Sequence, residues 1–321
     1  MVFDASELLN FLKSSPVLRT IQVRIEAGVE LGNVPRELVV VLPNVDTFTL
    51  VVHRATGVYD IATHISCPHA RHTLLQQEVA GETVNPDLEI LPASASLKAI
   101  VHQHTRSPVE EVALDIDFAL EPRITGSLAF RSSDTTVIVF GFQILVINDE
   151  EDDGEEDLRM PGEGVGCENF RQASRAIRDH PQLSNVKIVH IAYQEFFEDN
   201  RRLKRVVKEF GRLFESLGPI DMLSICGCDP RSYLTPFFPY LRRVERSIVY
   251  PTIKELRVLR PMTVYGGEAC LVVILELAKS QHARGVPFER VTISMKNPPA
   301  AIVERLRPWV RTAVSCDEEM C

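Results

Sequence analysis

No apolar run in this sequence approaches the roughly 20 residues that a membrane-spanning helix needs. Leu271 to Leu275 is the longest near the C-terminal end, so no membrane partner is expected. No secretory leader is read at the start, and no Asn-x-Ser/Thr acceptor occurs. Cysteine forms no disulfide framework. The seven residues Cys67, Cys167, Cys226, Cys228, Cys270, Cys316 and Cys321 are odd in number and irregular in spacing. Free thiols in a reducing compartment, cytoplasmic or nuclear, are the expectation. Cys321 stands last rather than fourth from last, which excludes a prenylation box. Gly-x-Ser-x-Gly and His-Glu-x-x-His are missing, so nothing in the chain asks for catalysis and no enzyme is expected.

Charge of one sign is scarce outside a single stretch. The formal net charge is -9, and Asp149-Glu150-Glu151-Asp152-Asp153-Gly154-Glu155-Glu156-Asp157 carries most of it. The remainder is nearly balanced, which gives no electrostatic footprint for nucleic acid. That stretch and the following Pro161-Gly162-Glu163-Gly164-Val165-Gly166 read as one acidic and glycine-rich disordered insertion, residues 148–166, without a packing role. The glycines follow an acidic run rather than a strand, so they do not form a phosphate loop.

What is present is one phrase written several times: proline, then apolar residues (φ) as Pro-x-φ-x-x-φ-x-φ. It reads Pro16-Val17-Leu18-Arg19-Thr20-Ile21-Gln22-Val23 and Pro43-Asn44-Val45-Asp46-Thr47-Phe48-Thr49-Leu50. It returns at Pro181 with Leu183, Val186 and Ile188, and at Pro251 with Ile253, Leu256 and Val258. Two copies tightened by one residue begin at Pro219 and Pro287. A repeated φ-x-x-φ-x-φ is the core phrase of leucine-rich repeats, where each copy supplies one short parallel strand. Proline suits the strand entrance, since it ends a helix and donates nothing to the ladder.

Amphipathic stripes precede the copies. Asp4 and Glu7 resemble a cap before Leu8, Leu9, Phe11 and Leu12. Phe170, Ala173 and Ile177 form one stripe, and Leu203 to Leu217 another. Cys270, Val273, Ile274, Leu277 and Ala278 form a third, ending near Gly285-Val286-Pro287. A last helix is expected to carry Ile302, Leu306 and Trp309. Helix, proline and strand in alternation predict an α/β fold. We expect a leucine-rich-repeat-like solenoid in one domain over residues 1–321, with parallel strands on the concave side and helices outside. Strands are expected near Thr20–Arg24, Thr47–Val51, Asn185–Val189, Met222–Ile225, Glu255–Val258 and Arg290–Ile293. The middle differs: Val109–Phe118, Arg123–Arg131 and Thr135–Ile147 are rich in β-branched and aromatic residues. The last two runs flank the polar Arg131-Ser132-Ser133-Asp134 and predict an antiparallel β-hairpin.

Two cysteine segments carry a chemical alternative. His64-Ile65-Ser66-Cys67-Pro68-His69-Ala70-Arg71-His72 gathers a thiol and three imidazoles, which would serve a metal-dependent enzyme. No second ligand pair stands at a finger-like spacing, so a strand with its flanking turn is the simpler reading. Cys226-Gly227-Cys228-Asp229 follows a strand phrase, where repeats place a small packing residue at the turn. No metal ligand and no cofactor is assigned.

Several longer phrases resemble a known family. They are Ile61 to His72, Tyr250-Pro251-Thr252-Ile253-Lys254-Glu255-Leu256, Leu277 to Val291, and Leu306-Arg307-Pro308-Trp309-Val310. Together they resemble the leucine-rich-repeat region of an expanded set of fungal F-box proteins. The resemblance implies a non-catalytic substrate-recognition role in an SCF-type ubiquitin ligase, with the repeats holding a protein target. The first helix, Asp4 to Leu12, already belongs to the first repeat, so the F-box itself is not expected within this chain. The SCF adaptor is then a partner only where an F-box exists upstream. A stand-alone repeat binding protein is the alternative.

In φ-x-x-φ-x-φ strands the apolar side chains point one way and the others the opposite way. The candidate partner-binding face is therefore Gln22, Arg24, Thr49, Asn185, Lys187, Ser224, Glu255, Arg257, Arg290 and Thr292. Arg24, Lys187, Arg257 and Arg290 bias this face toward an acidic partner.

Overall fold

The computed structural model describes residues 2–3, 5–25, 30–31, 38–53, 58–81, 91–117, 123–145, 171–175, 177–178, 185–194, 212–213, 217, 219–226, 253–259, 268–294 and 300–316. The acidic insertion and most of the stripe from Leu203 to Leu217 lie outside these residues, as does the Cys228 turn. Among the described residues the protein is α/β, with eleven strands in a mostly parallel sheet and few helices.

In chain order the elements are β1 (Val2–Phe3), α1 (Ala5–Lys13), β2 (Thr20–Ile25), β3 (Glu30–Leu31), β4 (Val40–Val41), β5 (Thr47–His53), α2 (Val58–Ala62), β6 (Ile65–Ser66), β7 (His72–Gly81), α3 (Ser94–His104), β8 (Glu111–Asp117), β9 (Arg123–Arg131), β10 (Thr136–Leu145), β11 (Ile188–Gln194), β12 (Ile220–Cys226), β13 (Ile253–Leu259), α4 (Glu268–Ala283), β14 (Arg290–Ser294), α5 (Ala300–Leu306) and β15 (Thr312–Cys316). Two compact units result. The first comprises Met1–Val109 and Ile116–Gln182, the second Glu110–Asp115 and Leu183–Cys321.

In the first unit β2, β5, β7 and β10 pair in parallel, and β9 pairs antiparallel with β10. The hairpin read from Arg123 to Ile147 is therefore present. Its turn closes with Ser132 N–H donating to Thr135 O at 2.9 Å. Register follows burial. Ile21, Phe48, Thr73 and Val137 form one cross-strand row, and Val23, Leu50, Leu75 and Val139 the next. Phe48, Leu50, Leu75, Val137 and Val139 are fully buried. A one-residue slip would turn these side chains to the other face, so the core fixes the pairing. In α1 the stripe Ala5, Leu9 and Leu12 is buried while Glu7, Asn10 and Lys13 stay exposed.

In the second unit β8, β11, β12, β13, β14 and β15 lie side by side, and β11 to β15 run parallel. Its core rows are Val189, Leu223, Leu256, Val291 and Ala313, then Ile191, Ile225, Val258 and Ile293. Helix α4 buries Ile274, Leu277 and Ala278 as the stripe predicts. It ends at Gly285, whose φ of 75° is the left-handed conformation that glycine adopts without steric cost. Val286 N–H then reaches back to Gln281 O at 3.1 Å, a Schellman closure, and Pro287 leads into β14. Helix α5 stops at Leu306, short of the expected Trp309, which follows in a turn with its N–H on Leu306 O.

One expected strand is misplaced. The phrase counted from Pro181 sets Val186 and Ile188 inward and the strand at Asn185–Val189. The structure runs β11 from Ile188 to Gln194 and aligns Val189 with Leu223 and Ile191 with Ile225. Val186-Lys187-Ile188-Val189-His190-Ile191 is itself a φ-x-x-φ-x-φ phrase, and this frame buries Val186, Val189 and Ile191 together. The alternative frame would bury Ile188 in place of Val189.

Strand entrances repeat one bond. Arg19 O accepts from Asp46 N–H and Thr47 N–H, and Asp46 O accepts from Arg71 N–H and His72 N–H. Glu110 O accepts from Lys187 and Ile188, and Lys187 O from Asp221 and Met222. Glu289 N–H donates to Lys254 O at 2.8 Å. The residue at each entrance is the one after the first apolar position of the phrase. In the first unit these residues read Arg19, Asp46, Arg71. In the second they read Glu110, Lys187, Asp221, Lys254, Glu289 and, by position in the phrase, Arg311, whose N–H donates to Phe288 O at 3.0 Å rather than to Glu289 O. Their charge alternates along these copies, and the first-unit row ends at β10, where Thr136 N–H donates to Arg71 O and the entrance residue Thr135 is uncharged. The one ion pair seen along this row, Lys254 Nζ to Asp221 Oδ1, measures 2.6 Å. Hydrogen bonding to Asp221, its charge, and then that of Glu289 hold the Lys254 ammonium above the usual lysine range. Opposite charges placed directly across neighbouring strands favour that register, and like charges oppose it.

Candidate functional site

The outward face of the second unit follows from the same register. Glu255 pairs with Arg290, and Arg257 pairs with Ser224 on one side and Thr292 on the other. Arg257 Nε donates to Glu255 Oε1 at 2.9 Å, and Arg290 Nε lies 3.8 Å from the same oxygen. Glu255 is 22% exposed, Arg257 41% and Arg290 52%. Two guanidinium groups therefore share one half-buried carboxylate and leave one positive charge in excess. Each guanidinium carries five N–H donors in a planar fork, so donors remain for a second acceptor. Met222 flanks the cluster on β12, in register with Glu255. At the far strand of this unit His190 Nε2 approaches Glu111 Oε1 at 3.6 Å.

The sequence-derived face is only partly brought together. Glu255, Arg257 and Arg290 converge. Ser224 and Thr292 flank them in register, yet they are buried, at 3% and 8% exposed, rather than solvated. Their small side chains stand between longer neighbours, His190 and Arg257 for Ser224, Arg257 and Val314 for Thr292. The Thr292 hydroxyl has no hydrogen-bond partner among the described residues. Asn185 and Lys187 are exposed but precede β11, and Lys187 belongs to the entrance row between Glu110 and Asp221. Gln22 and Arg24 lie exposed on β2, with Thr49 half-buried beside Gln22 on β5, all in the first unit.

Sequence reasoning missed two features of this face. One is Glu255 as an anchor for both arginines. The other is the row Glu111, His190, Ser224, whose residue types resemble a catalytic relay. Ser224 is buried, at 3% exposed. A second imidazole–carboxylate pair, His53 Nδ1 with Glu78 Oε2, joins β5 and β7 in the first unit.

The segment His64–His72 does not assemble a ligand set. His64 Nδ1 bonds Leu38 O at 2.9 Å, and Cys67 is fully buried while His69 and His72 are exposed. Burial pushes the Cys67 thiol up to about 12. Among the described residues no group of three or more His, Cys, Asp or Glu is placed to hold a metal ion. Among them, too, no helix is long and apolar enough to cross a membrane. Compared with protein-family models, curated proteins and solved structures, the chain matches none.

Proposed function

We propose that the chain is a non-catalytic protein-recognition module built as a leucine-rich-repeat-like solenoid. It resembles the substrate-binding region of an F-box subunit of an SCF ubiquitin ligase, and it contacts the adaptor only where an F-box lies upstream. The observation that carries this reading is the Arg257–Glu255–Arg290 cluster on the outward face of a parallel, repeat-like sheet. Strand register fixes where each side chain leaves the backbone, and the Glu255 carboxylate orients the Arg257 guanidinium. Rigid, preorganised donors bind at a lower entropic cost than donors on loops. The excess positive charge fits an acidic segment of a target protein, with a carboxylate taking the free N–H donors of Arg290.

An array of acidic and scrambled peptides tests it, probed with the full chain and with the Arg257→Glu/Arg290→Glu variant. Acidic peptides are expected to bind the wild-type chain and to lose at least about tenfold in affinity with the variant, or about 1.4 kcal/mol. Equal retention by both proteins, with the fold intact, places the binding site elsewhere.

A further inference from the structure

The alternating entrance charges of the second unit stop at Arg311, on the strand that closes the strand order there. Its neighbour on the inner side is Glu289, through Arg290 paired with Thr312. Arg311 and Thr312 are exposed, and among the described residues nothing pairs with β15 on its other edge. An edge strand of this kind offers a row of backbone donors and acceptors to an added chain.

We infer that the outer edge of β15 is a strand-addition site for an extended, parallel segment of a partner protein carrying a carboxylate at its strand entrance. The carboxylate faces Arg311 as Glu289 faces Lys254 two strand steps earlier. The entry N–H of the added segment meets Arg311 O, as Glu289 N–H meets Lys254 O at 2.8 Å. Apolar residues follow at the positions that match Ala313 and Ser315, because the core rows of this unit continue through them. A segment with lysine or arginine at its entrance is rejected, since like charges directly opposite oppose pairing. This also bars one copy of the chain from stacking β2 on the β15 of another, because β2 enters at Arg19. The inference is independent of the arginine cluster on the sheet face.

The probe is a synthetic peptide copying Val286–Met295, the chain's own β14 with its Glu289 entrance, beside the same peptide carrying Glu289→Lys. Titrated into the full chain, the Glu peptide is expected to bind at least about fivefold more tightly than the Lys peptide. Arg311→Ala is expected to erase that preference, and Arg311→Glu to reverse it, each with an unchanged circular dichroism spectrum. Bound Glu peptide should slow amide hydrogen exchange within residues 312–316. Equal affinity for the two peptides, no binding of either, or protection confined to other strands overturns the inference. So does self-association of the wild-type chain that Arg311→Glu weakens.

Discussion

His104 sits at the end of α3, fully buried in the first unit, and its ring stacks on Phe48 with centroids 5.7 Å apart. Its Nδ1 lies 3.5 Å from Thr73 Oγ1, and its Nε2 is buried without a partner among the described residues. Nothing around it welcomes a charge, so burial lowers its pKa from the ordinary 6.5 to about 4. In the unfolded chain it titrates at the ordinary value. Above that value both states are neutral and His104 has no effect on the balance. As the pH falls, the unfolded state takes up a proton that the folded state refuses, so stability declines. At about pH 5 the solution is about 1.5 units below the unfolded value, which corresponds to a loss of about 2 kcal/mol. Below pH 4 the loss levels off at about 3 kcal/mol. Urea unfolding at about pH 7.5 and about pH 5 reads this directly, for the wild-type chain and for His104→Leu. The variant removes the titrating group while keeping the site apolar, and every other ionising group is common to both proteins. The wild-type chain is expected to lose about 2 kcal/mol more than the variant between those pH values. An equal loss in both refutes the reasoning.

Leu256, fully buried at the centre of its cross-strand row, should cost about 2–5 kcal/mol when changed to Ala, whereas Ile188→Ala on the other face should cost far less by the same urea assay. Ile188 as costly as Leu256 would restore the frame counted from Pro181. Gly285→Ala should destabilise by about 1 kcal/mol through its positive φ alone, since nothing lies within 4 Å of an added Cβ. A neutral result would move the helix end elsewhere. Ser224 should stay unlabelled by a fluorophosphonate probe, and stoichiometric labelling would contradict the non-catalytic reading.

The α/β class, the parallel strands at the Pro16, Pro43, Pro219, Pro251 and Pro287 copies and the central hairpin are all readable from the phrase and from β-branched runs. Other copies escaped because weak residues stand at their apolar positions. Pro68 leads to Ala70, Thr73 and Leu75 in β7, and Pro308 to Val310, Ala313 and Ser315 in β15. Thr73 passes as an inward residue because His104 lies beside its hydroxyl. Pro108, with Val109, Val112 and Leu114, has the tightened spacing of Pro219, but it reads only as the first of the β-branched runs in the middle of the chain. The slip at β11 arose because Val186, Ile188, Val189 and Ile191 are all apolar, so the phrase fits two frames. Only pairing against Leu223 and Ile225 selects one. The charge alternation needs that same frame, since Lys187 joins the row only when Val186 is the first apolar position. The exposed face was harder to read, because period two separates inward from outward but does not say which outward residues their neighbours cover.

The entrance row offers the most direct test of in-register parallel stacking in the second unit. Asp221→Lys and Lys254→Glu each turn two favourable neighbour relations into repulsions. Together they preserve the relation between themselves and disturb only the outer two. If the strands stack as described, the double variant melts no lower than either single one. Reversal of Lys187 and Glu289, which are not neighbours and share no partner in the row, should lower the melting temperature by the sum of the single effects. Additive losses for Asp221 and Lys254, in thermal melts at low ionic strength, would contradict the register on which the fold and both proposed binding surfaces rest.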